Sequence, residues 1–273
     1  MKRDKWDARI QRAQELAASQ SFAAEGLRFY ERVVGFQKTL YAAAAAVPPS
    51  AGQGPGAGKP LRERDLEPLL LLPWFASFLS LIQEIAPPPL AQSAAELGAL
   101  GVTRWQEVLD EFWRAEPEGS GALSEAETLI AWAFLQPYAE CLADHGGRTA
   151  PDGTPPLCPL CSNRPQVGVL RPQGDGAKRS LICALCATEW EFRRIVCPAC
   201  GEEDRDKLPV WVAEGLAHIR VEACDTCRHY IKTVDLTRDG RAVPVVDELA
   251  TIPLSLWAEE KGYAKLRTNL LGI

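Results

Sequence analysis

Eight of the nine cysteines fall into four Cys-x-x-Cys pairs: CPLC at Cys158 and Cys161, CALC at Cys183 and Cys186, CPAC at Cys197 and Cys200, and CDTC at Cys224 and Cys227. Along the chain they read C-x2-C-x21-C-x2-C, then ten residues, then C-x2-C-x23-C-x2-C. In each half the leading pair carries a proline after its first cysteine (Pro159, Pro198) and the trailing pair does not, the register expected of one module duplicated in tandem. Two cysteines three positions apart in a tight turn can place both sulfurs on one ion, with neighbouring backbone N–H groups directed at them. Two such turns complete a tetrahedron. The spacing therefore predicts two closed tetrathiolate metal sites. Sequential pairing, with Cys158, Cys161, Cys183 and Cys186 in the first site and Cys197, Cys200, Cys224 and Cys227 in the second, lets each repeat close its own site. An interleaved arrangement is the open alternative. Iron and zinc accept the same four sulfurs, so spacing does not choose between them.

The remaining reactive side chains suggest no further chemistry. Cys141 lies in the helical run AWAFLQPYAECLA and is expected to be a small buried hydrophobe. His218 and His229 lie near the second module, but each site already has four cysteines, so they are expected to be strand residues. His145 is unassigned. The run GQGPGAGK at Gly52–Lys59 lacks both the phosphate-loop spacing and a Ser or Thr after its lysine. No Gly-x-Ser-x-Gly elbow and no His-Glu-x-x-His pair occurs. A site closed by four protein thiolates has no position for water or substrate, so the chain is not expected to be an enzyme. Trp190, Phe192, Arg193 and Arg194 lie between the modules. The aromatic pair is expected to cover the small module cores, with a partner-binding edge as the rival reading.

The elements that carry these residues divide the chain in two. Apolar residues recur at three- and four-residue steps from Trp6 to Val47, broken near Ser19-Gln20-Ser21, and again over Leu69–Ile85, Ala94–Leu100, Trp105–Ala115 and Ser124–Ala143. Ser124 and Glu127 form a capping box at the head of the last helix. Pro48–Pro60, PPSAGQGPGAGKP, reads as a loop, and HGGRTAPDGTPP at His145–Pro156 marks the domain boundary. Beyond it, short strands at Gln166–Leu170, Ser180–Ile182, Glu189–Val196, Val210–Val212, His218–Glu222 and Tyr230–Asp235 alternate with the cysteine turns. A helix is expected at Asp247–Glu260, and a loose terminal segment after Gly262. The expected domains are 1–147, helical, and 148–273, holding modules 157–190 and 191–235 with the helix 247–260.

Composition narrows the partners. The 273 residues are 47% apolar and carry a formal charge of −6. From Pro151 to Ile273 there are 16 Lys and Arg against 17 Asp and Glu, so no cationic stripe is present for nucleic acid. The most apolar window, Leu66–Ile85, contains Glu67, Pro68, Pro73, Gln83 and Glu84, which predicts a buried helix rather than a membrane span. MKRDKWD at the start is not a secretory signal, so a cytoplasmic chain with reduced thiols is expected.

The second half resembles the formate dehydrogenase accessory protein FdhE family. The likeness is carried by LCPLC at Leu157–Cys161, LICALCATEW at Leu181–Trp190, CPACG at Cys197–Gly201, EACDTCRHYIK at Glu222–Lys232, and DELATIPLSLWAEEKGY with NLLG near the end. LRFYERVVGFQ at Leu27–Gln37 adds a looser match. The resemblance implies an α+β protein: an all-helical N-terminal domain, two tandem rubredoxin-like or zinc-ribbon-like metal modules, and a C-terminal helix. It also implies a cytoplasmic, non-catalytic maturation factor that binds the catalytic subunit of a respiratory formate dehydrogenase before export, with all eight paired cysteines as ligands and iron as the metal. Ser162 and Arg228 stand after their knuckles where glycine would ease the turn. An iron-tetrathiolate electron donor to the client is the alternative function, and a zinc-ribbon nucleic-acid binder is disfavoured by charge. Neither a membrane nor a particular oligomeric state is implied.

Overall fold

The computed structural model describes residues 4–46, 61, 68–115, 122–145 and 154–272. The Pro48–Pro60 run lies outside them, as do residues 146–153 of the expected boundary. The first helical period becomes α1 (Lys5–Ser19) and α2 (Ala24–Ala45), separated by a 3-10 turn at Ser21–Ala23. Asp4 caps α1 by accepting from the Trp6 N–H. Then come α3 (Pro68–Ile85), α4 (Pro88–Arg114) and α5 (Glu125–His145). Gly101, at φ +78°, breaks α4 into the two helical runs that the periodicity separates. At the head of α5 the capping box forms, with Ser124 N donating to Glu127 Oε2 at 2.9 Å and Glu127 N to Ser124 Oγ at 3.2 Å.

The described residues of Met1–Glu31, Ala150–Pro159 and Asn163–Ile273 form one compact unit, and those of Arg32–Thr149 and Leu160–Ser162 form the other. This differs from a single cut at residue 147, because α1 packs on a C-terminal helix. In the helical unit Ile130 to Cys141 of α5 are all buried, as expected of a helix that is apolar all round. Phe75 of α3 meets Phe134 edge to face and Phe78 meets it at a tilt, with centroids 4.8 and 5.5 Å apart. Pro137, inside α5, has no N–H to offer Ala133, and the Gln37 amide donates to the Ala133 carbonyl at 2.6 Å instead.

The other unit is built on one seven-stranded sheet. Its strands are β1 (Pro165–Gln173), β2 (Gly176–Cys183), β3 (Glu189–Glu191), β4 (Val210–Val212), β5 (Ile219–Ala223), β6 (His229–Asp235) and β7 (Ala264–Lys265). Each cysteine repeat contributes an antiparallel meander, and the order β3-β2-β1-β6-β5-β4 places the two side by side in the same sense. They join where β1 and β6 pair in parallel, Gly168 opposite Thr233. A side chain at Gly168 would overlap the Thr233 hydroxyl and force it to shift, so glycine lets the two strands meet without strain.

The expected helix at 247–260 is two helices, α6 (Pro244–Leu249) and α7 (Ile252–Glu260). Pro253 lacks the N–H that would continue the ladder and restricts Ile252 before it, so the chain restarts there. Strand residues of alternate parity pack on these helices: Val167, Val169 and Val234 with Leu254, and Val221 and Tyr230 with Ala258. The segment after Gly262 is not loose. β7 pairs with β6, and Leu266, Asn269 and Leu270 are buried.

An ionic cluster explains that burial. Glu248 of α6, fully buried, pairs with Lys232 of β6 at 2.9 Å and with Lys265 of β7, and accepts from Asn269 at 3.0 Å. Burial alone would push the Glu248 carboxyl up, but the two lysines outweigh it and hold it at about 2. Burial pulls the Lys232 ammonium down, partly offset by Glu248.

Candidate metal centres

Each cysteine pair sits in the same turn. The N–H of the leading cysteine donates to the carbonyl five residues on, Cys158 to Asn163, Cys183 to Thr188, Cys197 to Glu202 and Cys224 to His229, each at 2.9 Å. The residue after each trailing cysteine has positive φ: Ser162 at 57°, Ala187 at 51°, Gly201 at 78° and Arg228 at 59°. Those three side-chain-bearing residues are the non-glycine positions with positive φ among the described residues. A left-handed conformation costs a non-glycine residue about 1–2 kcal/mol, and here it is met at each knuckle without a glycine. The Leu185 and Ala199 N–H groups point at the sulfurs of Cys183 and Cys197, at 3.4 and 3.3 Å.

The turns converge in sequential pairs. The sulfurs of Cys158, Cys161, Cys183 and Cys186 lie within 4.8 Å of one another, as do those of Cys197, Cys200, Cys224 and Cys227. This removes the interleaved alternative. Cys158 and Cys186 are 3.6 Å apart, Cys197 and Cys227 3.7 Å, and Cys200 and Cys224 3.7 Å. A tetrahedron with metal–sulfur bonds of about 2.3 Å separates its sulfurs by about 3.8 Å. All eight cysteines are free thiols, well beyond disulfide distance. Each cluster is thus positioned to chelate one metal ion.

The environments differ. In the first cluster all four cysteines are buried, and the Cys186 thiol donates to Thr188 Oγ1 at 3.1 Å. In the second, Cys197 and Cys224 are buried, Cys227 is half-buried and Cys200 is exposed. Burial pushes the Cys197 and Cys227 thiols up. At Cys224 burial also pushes upward, but the N–H groups of Cys227 and Thr226 and the thiols of Cys200 and Cys227 outweigh it and lower the value.

Other candidate residues stay outside both clusters. Cys141 is buried on α5, with its sulfur 3.6 Å from His145 Nδ1. His229 opens β6, and its Nδ1 contacts the Cys227 carbonyl at 2.9 Å. His218 precedes β5 and joins Asp239 and Asp247 in a third group of close donor atoms. An arginine occupies that group: Arg12 of α1 donates to Asp247 at 3.0 Å and Asp239 at 3.1 Å, with His218 3.2 Å from Asp247. It is an ion-pair clasp. Trp190 and Phe192 are buried, with Trp190 Nε1 donating to the Pro155 carbonyl at 2.9 Å. They cover the module cores. Sequence reading missed Ala187 as a strained knuckle position, Arg12 as a partner of Asp247, and the Glu248 cluster. For Ala187 the signal was present in its register with Ser162 and Arg228.

Two tandem knuckle pairs on one sheet define a protein built around two four-cysteine modules of the metal-binding kind. Family models agree in position: FdhE, central domain, matches residues 157–194, and FdhE, C-terminal domain, matches residues 195–271. A protein FdhE homolog of Aquifex aeolicus is 30% identical over 222 residues, covering 80% of this chain and 76% of that one. Another from Haemophilus influenzae strain PittGG is 28% identical over 200 residues, covering 72% and 66%. The chain belongs to the FdhE family. The crystal structure of the FdhE protein from Pseudomonas aeruginosa shares the fold, with a TM-score of 0.68 at 24% identity over 99% of this chain and 97% of that one. Family membership and the paired clusters support an accessory role in maturation. No helix among the described residues is long and apolar enough to cross a membrane.

Proposed function

We propose that this protein is a cytoplasmic maturation factor that binds the catalytic subunit of a respiratory formate dehydrogenase before export. In this reading Cys158, Cys161, Cys183 and Cys186 ligate one ion, and Cys197, Cys200, Cys224 and Cys227 a second. The observation that carries it is the pair of four-sulfur clusters, closed by protein donors alone, in a chain of the FdhE family. Four thiolates leave no vacant ligand position, so the ions serve as crosslinks that hold a binding surface in shape. The side chains and N–H groups of the knuckles orient the sulfurs, and the fused sheet makes the two modules one platform. Pulldown with the tagged protein from cells that express a formate dehydrogenase is expected to recover its large subunit. Recovery equal to that of an untagged control would refute the reading.

Exposed Cys200 favours a second reading, in which an iron-loaded second centre exchanges single electrons with the client. A zinc-only preparation that supports maturation as well as an iron-loaded one excludes it.

A further inference from the structure

A groove of about 470 Å³ runs along the sheet beside the second centre, walled by Cys197, Pro198 and Ala199 of its first knuckle. Four guanidinium groups line it, those of Arg179, Arg194, Arg205 and Arg220, against one carboxylate, Glu222. Two of the four are committed. Arg179 donates to Glu222 at 2.7 Å and Arg220 to Asp235 at 2.8 Å. The other two are not. Arg205 has no side-chain partner among the described residues, and Arg194 reaches only the Ala177 carbonyl, at 3.5 Å. Both are exposed.

Two large apolar side chains also line the groove and stand half in solvent: Ile195 at 49% exposure and Val210 at 51%. A small anion would satisfy the free arginines but leave this apolar surface wet. A nucleic-acid strand brings a charge at every step and would meet the acidic run Glu202-Glu203-Asp204 next to the groove. The chemistry that fits both features is an extended peptide in which one or two carboxylates alternate with aliphatic residues. Arginine forks engage the carboxylates, and the aliphatic side chains cover Ile195 and Val210.

We infer that this groove binds an acidic-aliphatic peptide segment of the client protein, held by Arg194 and Arg205 over Ile195 and Val210. The inference rests on the proposed maturation role for the identity of the peptide's owner, but not for the groove's chemistry.

The test has two arms, both on the full chain loaded with metal. In the first, a short fluorescein-labelled peptide alternating glutamate with valine and leucine is titrated and read by fluorescence anisotropy. Saturable binding is expected, weakened about tenfold or more in the double variant R194A/R205A and partly restored in R194K/R205K, with the metal content of each variant unchanged. Equal affinity for wild type and R194A/R205A, no binding at all, or equal affinity for the glutamine version of the peptide would overturn the inference. Full displacement by inorganic phosphate alone would mean a small-anion site, which also overturns it. In the second arm, pulldown compares capture of the formate dehydrogenase large subunit by wild type and R194A/R205A. Loss in the variant supports the assignment of the peptide to the client. Undiminished capture places the client elsewhere and overturns that assignment while the maturation role stands. If wild type captures nothing, the maturation role fails, and the peptide titration still decides the groove.

Discussion

The first cysteine cluster has no member more than 2% exposed, whereas the second leaves Cys200 open to solvent and Cys227 half-covered, although the same turn builds both. Knuckle geometry is therefore local, repeated four times with one hydrogen-bond distance, while exposure is set by what packs on it. Around the first centre Leu185 and Asn163 are buried and Trp190 closes over the module core. Around the second the neighbours are polar and exposed, such as Thr226, which donates to Glu202. A duplicated module has thus been specialised by its surroundings: one centre is shut away, and the other is presented.

The sharpest way to break this contrast is to remove one cysteine from each cluster. Structural tetrathiolate sites contribute about 10–16 kcal/mol of metal-binding energy to folding. Cys161→Ser is expected to lose one metal equivalent and the order of β1 to β3, because no water reaches the buried vacancy. Cys200→Ser is expected to keep a weakened ion, with solvent supplying the fourth ligand. Metal analysis with circular dichroism distinguishes the two, and identical behaviour would dissolve the contrast.

The second module is additionally braced by Glu248. Glu248→Ala leaves two buried lysines uncompensated and is expected to cost about 3–5 kcal/mol in urea denaturation. The carboxyl's folded-state value, about 2, lies below its ordinary 4.5, so its contribution is complete above pH 4.5 and is lost as pH falls toward 2. Wild type should lose stability through that window more steeply than the variant. Gly168→Ala probes the joint between modules and is expected to cost about 1–3 kcal/mol through overlap with Thr233, with both metals retained.

Chelator challenge sharpens the comparison kinetically. One metal equivalent should leave about tenfold faster or more, the ratio given by about 1.4 kcal/mol less local opening free energy, and Cys200→Ser should accelerate that phase alone. Smallest is the relief of backbone strain. Ala187→Gly is expected to stabilise the first module by about 0.5–1 kcal/mol in thermal unfolding. Arg228→Gly should not gain, because Arg228 also packs over the Tyr263 ring, 3.9 Å from its centroid, and donates to Lys261 and Gly262 carbonyls.

Features fixed by a few neighbouring residues were legible in the sequence. The four knuckles, the Ser124 capping box, the break near Ser19 and the strand at Val210–Val212 all follow from local spacing. What escaped depends on partners far away in the chain. The parallel pairing of β1 with β6 joins Gly168 to Thr233, and no periodicity marks it. The stretch after Gly262 reads as loose because its anchors, β6 and Glu248, lie outside it. The split at Pro253 was a local signal overridden by a continuous apolar pattern.

The clasp between Arg12 and Asp247 spans 235 residues of chain. At a synthesis rate of about 5–20 residues per second the ribosome takes on the order of tens of seconds to deliver the second half of that bond after the first. Until then α1, whose Trp6, Ala13 and Leu16 end up buried, has no α6 to pack on. The sheet unit is therefore sealed late in translation, by a segment that emerged near the beginning.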